Sequence, residues 1–164
     1  MRESIKRFLW PRMNRRFALR LAIVAAAAFL LFGYVTRPYL VAGKSMEPTY
    51  SEGSLVLGSR FRYAFREVRR GDVVFVMLAG PSVMYLKRVA GLPGDTVELR
   101  EGSLFVNGER QEEPWRRLPC DWNRKPQPVE PGFLFVVGDN RSMPIEQHEF
   151  GVVLRKRIFG GPLW

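Results

Sequence analysis

Nucleophilic catalysis needs a nucleophile and a base, and this 164-residue chain offers Ser45, in GKSMEPT, and Lys87, in YLKRVAGLPGD. A serine hydroxyl attacks a carbonyl only when a neighbour takes its proton. Two bases are available. His148, with Asp139, completes a Ser, Asp, His order along the chain. Yet GKSME lacks the second glycine of a G-x-S-x-G elbow, and the strand–elbow–helix setting of that motif is missing. Lysine titrates near 10.4, and bringing it to neutrality takes about 4 kcal/mol, which burial in an apolar site supplies. Strand alternation puts Tyr85, Lys87 and Val89 on one face and Arg88 on the other. The expectation is a buried Lys87 beside a solvated Arg88. Cys120 is the single cysteine, so it forms no intrachain disulfide, and it reads as a loop thiol. No His, Cys and Asp cluster has metal-ligand spacing, so neither a metal nor a cofactor is expected.

The elements that must hold these residues read as strands. SLVLGS (54–59), DVVFVML (72–78) and VMYLKRVA (83–90) are short β-branched or aromatic runs bounded by Gly, Pro and charge. TVELR, SLFVN and FLFVV repeat the style, with turn signals at REGS and VNGE, the Asn107-Gly108 pair being the strongest. Residues 109–132 hold five of the twelve prolines and many charges, and read as a loop or hairpin extension. The apolar tail of Phe159, Leu163 and Trp164 is expected to close the fold. The pattern predicts a mainly β, compact, barrel-like domain.

Before it comes a segment of another kind. Residues 1–20 carry seven of the Lys and Arg residues against Glu3 alone, so +6 of the net +10 lies there. The remaining +4 is spread over 144 residues, which argues against nucleic acid as a partner. The run LAIVAAAAFLLFGYVT (21–36), extended by Phe17, Ala18 and Leu19 with Arg20 snorkelling, suits a bilayer span. Tyr34 and Tyr39 are expected at its far interface. A cleavable signal peptide is the rival reading, but no clear Ala-x-Ala site follows the run. The expected organisation is a basic cytoplasmic segment at 1–16, an anchor at 17–36 and an extracytoplasmic β-rich domain at 37–164. The nine residues from Thr36 to Ser45 reach at most about 30 Å, which sets Ser45 close to the outer interface.

GKSMEPT, RGDVVFV, YLKRVAGLPGD and GDNR occur in the order and at about the spacing of the four sequence boxes of type I signal peptidases. The chain resembles that family from about Gly43 to Gly151. The resemblance implies a β-rich fold and a serine–lysine dyad that removes signal peptides from exported preproteins. It needs no cofactor, and its setting is the bacterial cytoplasmic membrane, spanned once with the N-terminus inside. It implies Ser45 as nucleophile and Lys87 as base. Met46 and Pro48 shape the turn, and Gly43 stands at an oxyanion-hole position served by backbone N–H groups. Gly138, Asp139, Asn140 and Arg141 begin the last box. The chain then departs from the family pattern Gly-Asp-Asn-Arg-x-x-Ser-x-Asp-Ser-Arg. Pro144 replaces a serine that helps orient the lysine, and Glu146, Gln147 and His148 replace Asp, Ser and Arg. Ser142 is a candidate for the lost hydroxyl, and Glu146 with His148 for a substitute ion pair. A weakened or inactive homologue and a His148-dependent hydrolase remain alternatives, and the oligomeric state is left open.

Overall fold

A computed structural model of the chain describes residues 14–77, 84–116 and 118–163. Most of the basic segment, Leu78, Val83 and Trp164 lie outside the described residues. The chain divides into two compact units, Met1–Arg37 and Pro38–Trp164.

In the first unit, α1 spans Arg15–Leu30 and continues into a π-helical turn, Leu31–Val35. Asn14 caps it, its side-chain oxygen accepting from the Phe17 N–H at 2.8 Å. None of its side chains is buried within the protein. Arg15–Val35 is the one helix among the described residues long and apolar enough to cross a membrane.

Among the described residues the chain then forms eleven strands, the first beginning at the end of the first unit and the rest lying in the second. They are β1 (Thr36–Leu40), β2 (Leu55–Ser59), β3 (Val73–Met77), β4 (Met84–Gly91), β5 (Thr96–Arg100) and β6 (Ser103–Val106). The rest are β7 (Glu109–Arg110), β8 (Arg124–Pro128), β9 (Phe133–Val137), β10 (Gly151–Leu154) and β11 (Ile158–Pro162). A seven-stranded sheet runs β1-β2-β11-β3-β4-β9-β10, and a four-stranded sheet runs β7-β6-β5-β8. The turns follow the sequence signals. Glu101-Gly102 links β5 to β6 and Asn107-Gly108 links β6 to β7, all four residues at positive φ, the backbone that two-residue hairpin loops demand.

The fold is mainly antiparallel β as expected, but no pairing among the described residues joins β1 to β10, so the large sheet is open. The stretch 109–132 supplies β7 and β8, and the C-terminal tail enters the large sheet as β11 between β2 and β3. The Tyr39 ring packs on Phe75, centroids 4.6 Å apart.

Two apolar clusters explain why the middle of the large sheet is dry on both faces. Val89 and Val136 pack with Val74, Val76, Val68 and Leu134. Their chain neighbours Ala90 and Val137 point the other way, into a cluster with Val97, Leu99, Leu104, Val106 and Trp122. β4 is therefore buried along its second half whichever way a side chain points.

Candidate active site

Ser45 sits in a loop closed at its base by two backbone bonds, Val41 N–H to Ser54 O and Gly53 N–H to Val41 O. Met46 anchors the loop, with its side chain buried, while Pro48 is exposed. Gly43 has φ +86° and donates its N–H to Glu52 Oε1 at 3.0 Å. Nothing lies within 4 Å of where its Cβ would be. The position thus calls for glycine by its backbone angle, not by a close approach.

The GDNR box grips this loop. Asn140 donates its N–H to Ser45 O and its side-chain amide to Lys44 O, both at 3.0 Å. A Cβ on Gly138 would lie 2.2 Å from Ser45 O, so the two backbones touch. Asp139, fully buried, accepts from Thr49 Oγ1 at 2.6 Å. Every one of these contacts lands on the segment that carries Ser45.

Lys87 approaches from β4. It pairs with Val74 of β3, and directly paired residues share a face. Its stem therefore lies on the apolar face that also holds Val89 and Val136. Arg88 pairs with Val137, and one more step of that register sets Lys87 beside Gly138, the residue against the Ser45 carbonyl. Lys87 is 3% exposed. Burial lowers its pKa from 10.5 to about 8, against the opposing pull of the Glu149 and Asp139 charges.

Arg88 is not solvated. Its guanidinium forms a bidentate pair with Asp139 at 2.7 and 2.6 Å, donates to Gly71 O, and stacks 4.2 Å over Trp115. The expectation of a wet second face fails because β4 has a core on each side.

The two substitutes expected after the GDNR box are also absent. Ser142 is exposed and donates its hydroxyl to Asn140 Oδ1 at 2.7 Å, bracing Asn140 and not the lysine. No ion pair joins Glu146 to His148. Glu146 is exposed, while His148 is buried and its Nε2 accepts from the Gly138 N–H at 3.0 Å. Its ring meets Trp122 edge to face. Burial, then the charges of Lys87 and Arg141, press its pKa from 6.5 to about 3. It is a neutral imidazole fixing the end of β9.

Sequence reading missed three contributors: Thr49, Glu113 and Trp115. Glu113 forms a bidentate pair with fully buried Arg141. The only signal was indirect, since a buried arginine demands a carboxylate. Among the described residues no group of His, Cys, Asp and Glu is arranged to hold a metal.

The fold is a mainly β domain preceded by one apolar helix, and the family it falls in is one of hydrolases. The chain belongs to the signal peptidase family, peptidase S26, whose model matches residues 14–162. It is 34% identical to a signal peptidase I of Bacillus licheniformis over 91% of this chain and 87% of that protein. It is 32% identical to signal peptidase I V of Bacillus subtilis strain 168, over 90% and 96%. Signal peptidase IB of Staphylococcus aureus is 30% identical over 87% and 83%. A crystal structure of a signal peptidase I from Enterococcus faecalis V583 covers 58% of this chain and 97% of its own, at 26% identity and TM-score 0.46.

Proposed function

We propose that this protein is a membrane-anchored signal peptidase that cuts signal peptides from exported preproteins, with Ser45 as nucleophile and Lys87 as general base. One observation carries the reading. Lys87 is buried in an apolar strand face, titrates at about 8, and stands in register with the residue that touches the Ser45 carbonyl.

The neutral amine of Lys87 takes the Ser45 proton as the hydroxyl attacks the scissile carbonyl. Backbone N–H groups, that of Ser45 included, hold the oxyanion. Gly43 contributes its turn and not its own N–H, which is committed to Glu52. Protonated Lys87 returns the proton to the leaving amine, and a water activated by the same lysine releases the acyl-enzyme. His148 is no rival base, because its Nε2 lone pair is used by Gly138.

An apolar cleft of about 120 Å³ opens a few residues before Ser45, lined by Tyr39, Leu40, Val41, Ala42, Phe75, Met84 and Leu86. Its size suits a small side chain of an extended peptide. The basic N-terminal segment favours a cytoplasmic N-terminus, with the apolar helix as anchor in a bacterial cytoplasmic membrane and 37–164 outside. Purified wild type, Ser45→Ala and Lys87→Ala in liposomes, each given a preprotein, test the reading. Cleavage by wild type alone is expected, and cleavage retained by either variant refutes the dyad.

A further inference from the structure

The dyad accounts for neither the buried carboxylate of Glu113 nor the aromatic ring two residues on. Both belong to one short segment leaving β7; Glu113 meets the GDNR box directly, and Trp115 meets Arg88, the partner of Asp139 in that box. The Glu113 carboxylate takes Arg141 in a two-pronged pair, with Arg116 Nε 3.8 Å away as a second cation. Both partners are sealed from solvent, the Arg141 side chain at 0% exposure and that of Glu113 at 4%. Trp115 lies 4.2 Å over the Arg88 guanidinium, which is itself paired with Asp139. The residues 138–141 are thus held from behind by one segment, directly at Arg141 and through Arg88 at Asp139. In front, the same residues hold Lys44, Ser45 and Thr49.

We propose that Glu113 is a positioning residue for the reaction, acting through Arg141 and Asn140 on the backbone of Ser45, with Trp115 as its companion on Arg88 and Asp139. The proposal rests on the Ser45/Lys87 reading above. Arginine cannot shed its proton, so with Glu113 gone Arg141 keeps a buried charge with no carboxylate on it. The guanidinium then has to turn toward water. Its Nε donates to Gly138 O, so that turn pulls on Gly138 and on the Asn140 N–H bound to the Ser45 carbonyl. Small displacements of a nucleophile are expensive, and a shift of about 1 Å lowers a rate by about a hundredfold. The cleft proposed for substrate takes most of its lining from β1, β3 and β4, which separates effects on kcat from effects on KM.

The test uses the full chain in detergent, with active sites counted by covalent labelling with a serine-acylating inhibitor. Glu113→Gln keeps the shape and removes the charge. Its kcat per labelled site is expected to fall about ten- to a hundredfold with KM within about twofold of wild type. Glu113→Asp is expected to restore most of the rate. Glu98→Gln, which breaks an exposed pair with Arg100, serves as the control and leaves kcat unchanged. A purely structural role predicts fewer labelled sites with an unchanged kcat per site, and that result overturns the inference. If wild type cleaves without labelling, the dyad reading fails instead, and the inference with it.

Discussion

The lowered pKa of Lys87 ties activity and stability to one titration. Lys87→Met removes the amine while keeping an unbranched side chain of similar length. In wild type the folded-state pKa is about 8 against 10.5 for an open lysine. Between those values the unfolded chain binds a proton that the folded chain does not, so stability rises with pH across the window. The contribution is complete above about 10.5, is lost as pH falls toward about 8, and changes no further below that. At 1.36 kcal/mol per tenfold change in proton affinity, the window is worth roughly 3 kcal/mol. At 3% exposure there is little solvent to screen it. Chemical denaturation of both proteins in the same detergent reads the difference. The advantage of Lys87→Met over wild type should shrink by roughly 3 kcal/mol from about pH 8 to about pH 10.5. The kcat/KM of wild type should show an acid limb at about pH 8, with about one enzyme in ten active a pH unit lower. A difference flat across the window, or an acid limb below about pH 6, refutes the assignment of Lys87 as the buried base.

Gly138→Ala drives a Cβ to 2.2 Å from the Ser45 carbonyl oxygen and 2.3 Å from His148 Cε1. The first neighbour is backbone, so the Ser45 loop has to move. Cleavage assayed per folded molecule should fall at least about a hundredfold, with a stability loss of about 1–3 kcal/mol by thermal denaturation. His148→Ala leaves the Gly138 N–H without its acceptor, a loss of about 1–3 kcal/mol, yet its cleavage rate should stay well above that of Ser45→Ala. Because His148 titrates at about 3, the wild-type pH profile should carry no limb at an ordinary imidazole value. A limb near 6.5 that disappears in the variant would show that the imidazole takes part after all.

How much of this was legible depended on where each residue's partners lie. The strands β3, β4, β5, β6 and β9 were readable because their apolar runs face cores and their turns carry the glycines that positive φ requires. β1 and β8 were not, and for one physical reason. TRPYL and RKPQP contain proline and charge, yet each lies at the end of its sheet, where a missing N–H leaves no neighbour unpaired. Ser45 and Lys87 stood out in the sequence by the motifs around them. The ion pairs near them did not, since Arg88 finds Asp139 across 51 residues and Arg141 finds Glu113 across 28. Local pattern carries no trace of such pairs.

The adjacent pair Lys87-Arg88 shows two ways in which one strand can bury a cation. Alternation sends the two side chains to opposite faces of β4, and both faces are dry. The protein buries two cations side by side and treats them differently. Arginine stays charged at any accessible pH, so its burial requires a matched carboxylate, and Asp139 supplies two oxygens under a covering Trp115. Lysine has another way out, which is to give up its proton. Burial of Lys87 outweighs the upward pull of the Glu149 and Asp139 charges, and its pKa settles at about 8. Asp139→Asn should leave Arg88 without its carboxylate and, because Asp139 pulls the Lys87 pKa up, should move the Lys87 titration below about 8.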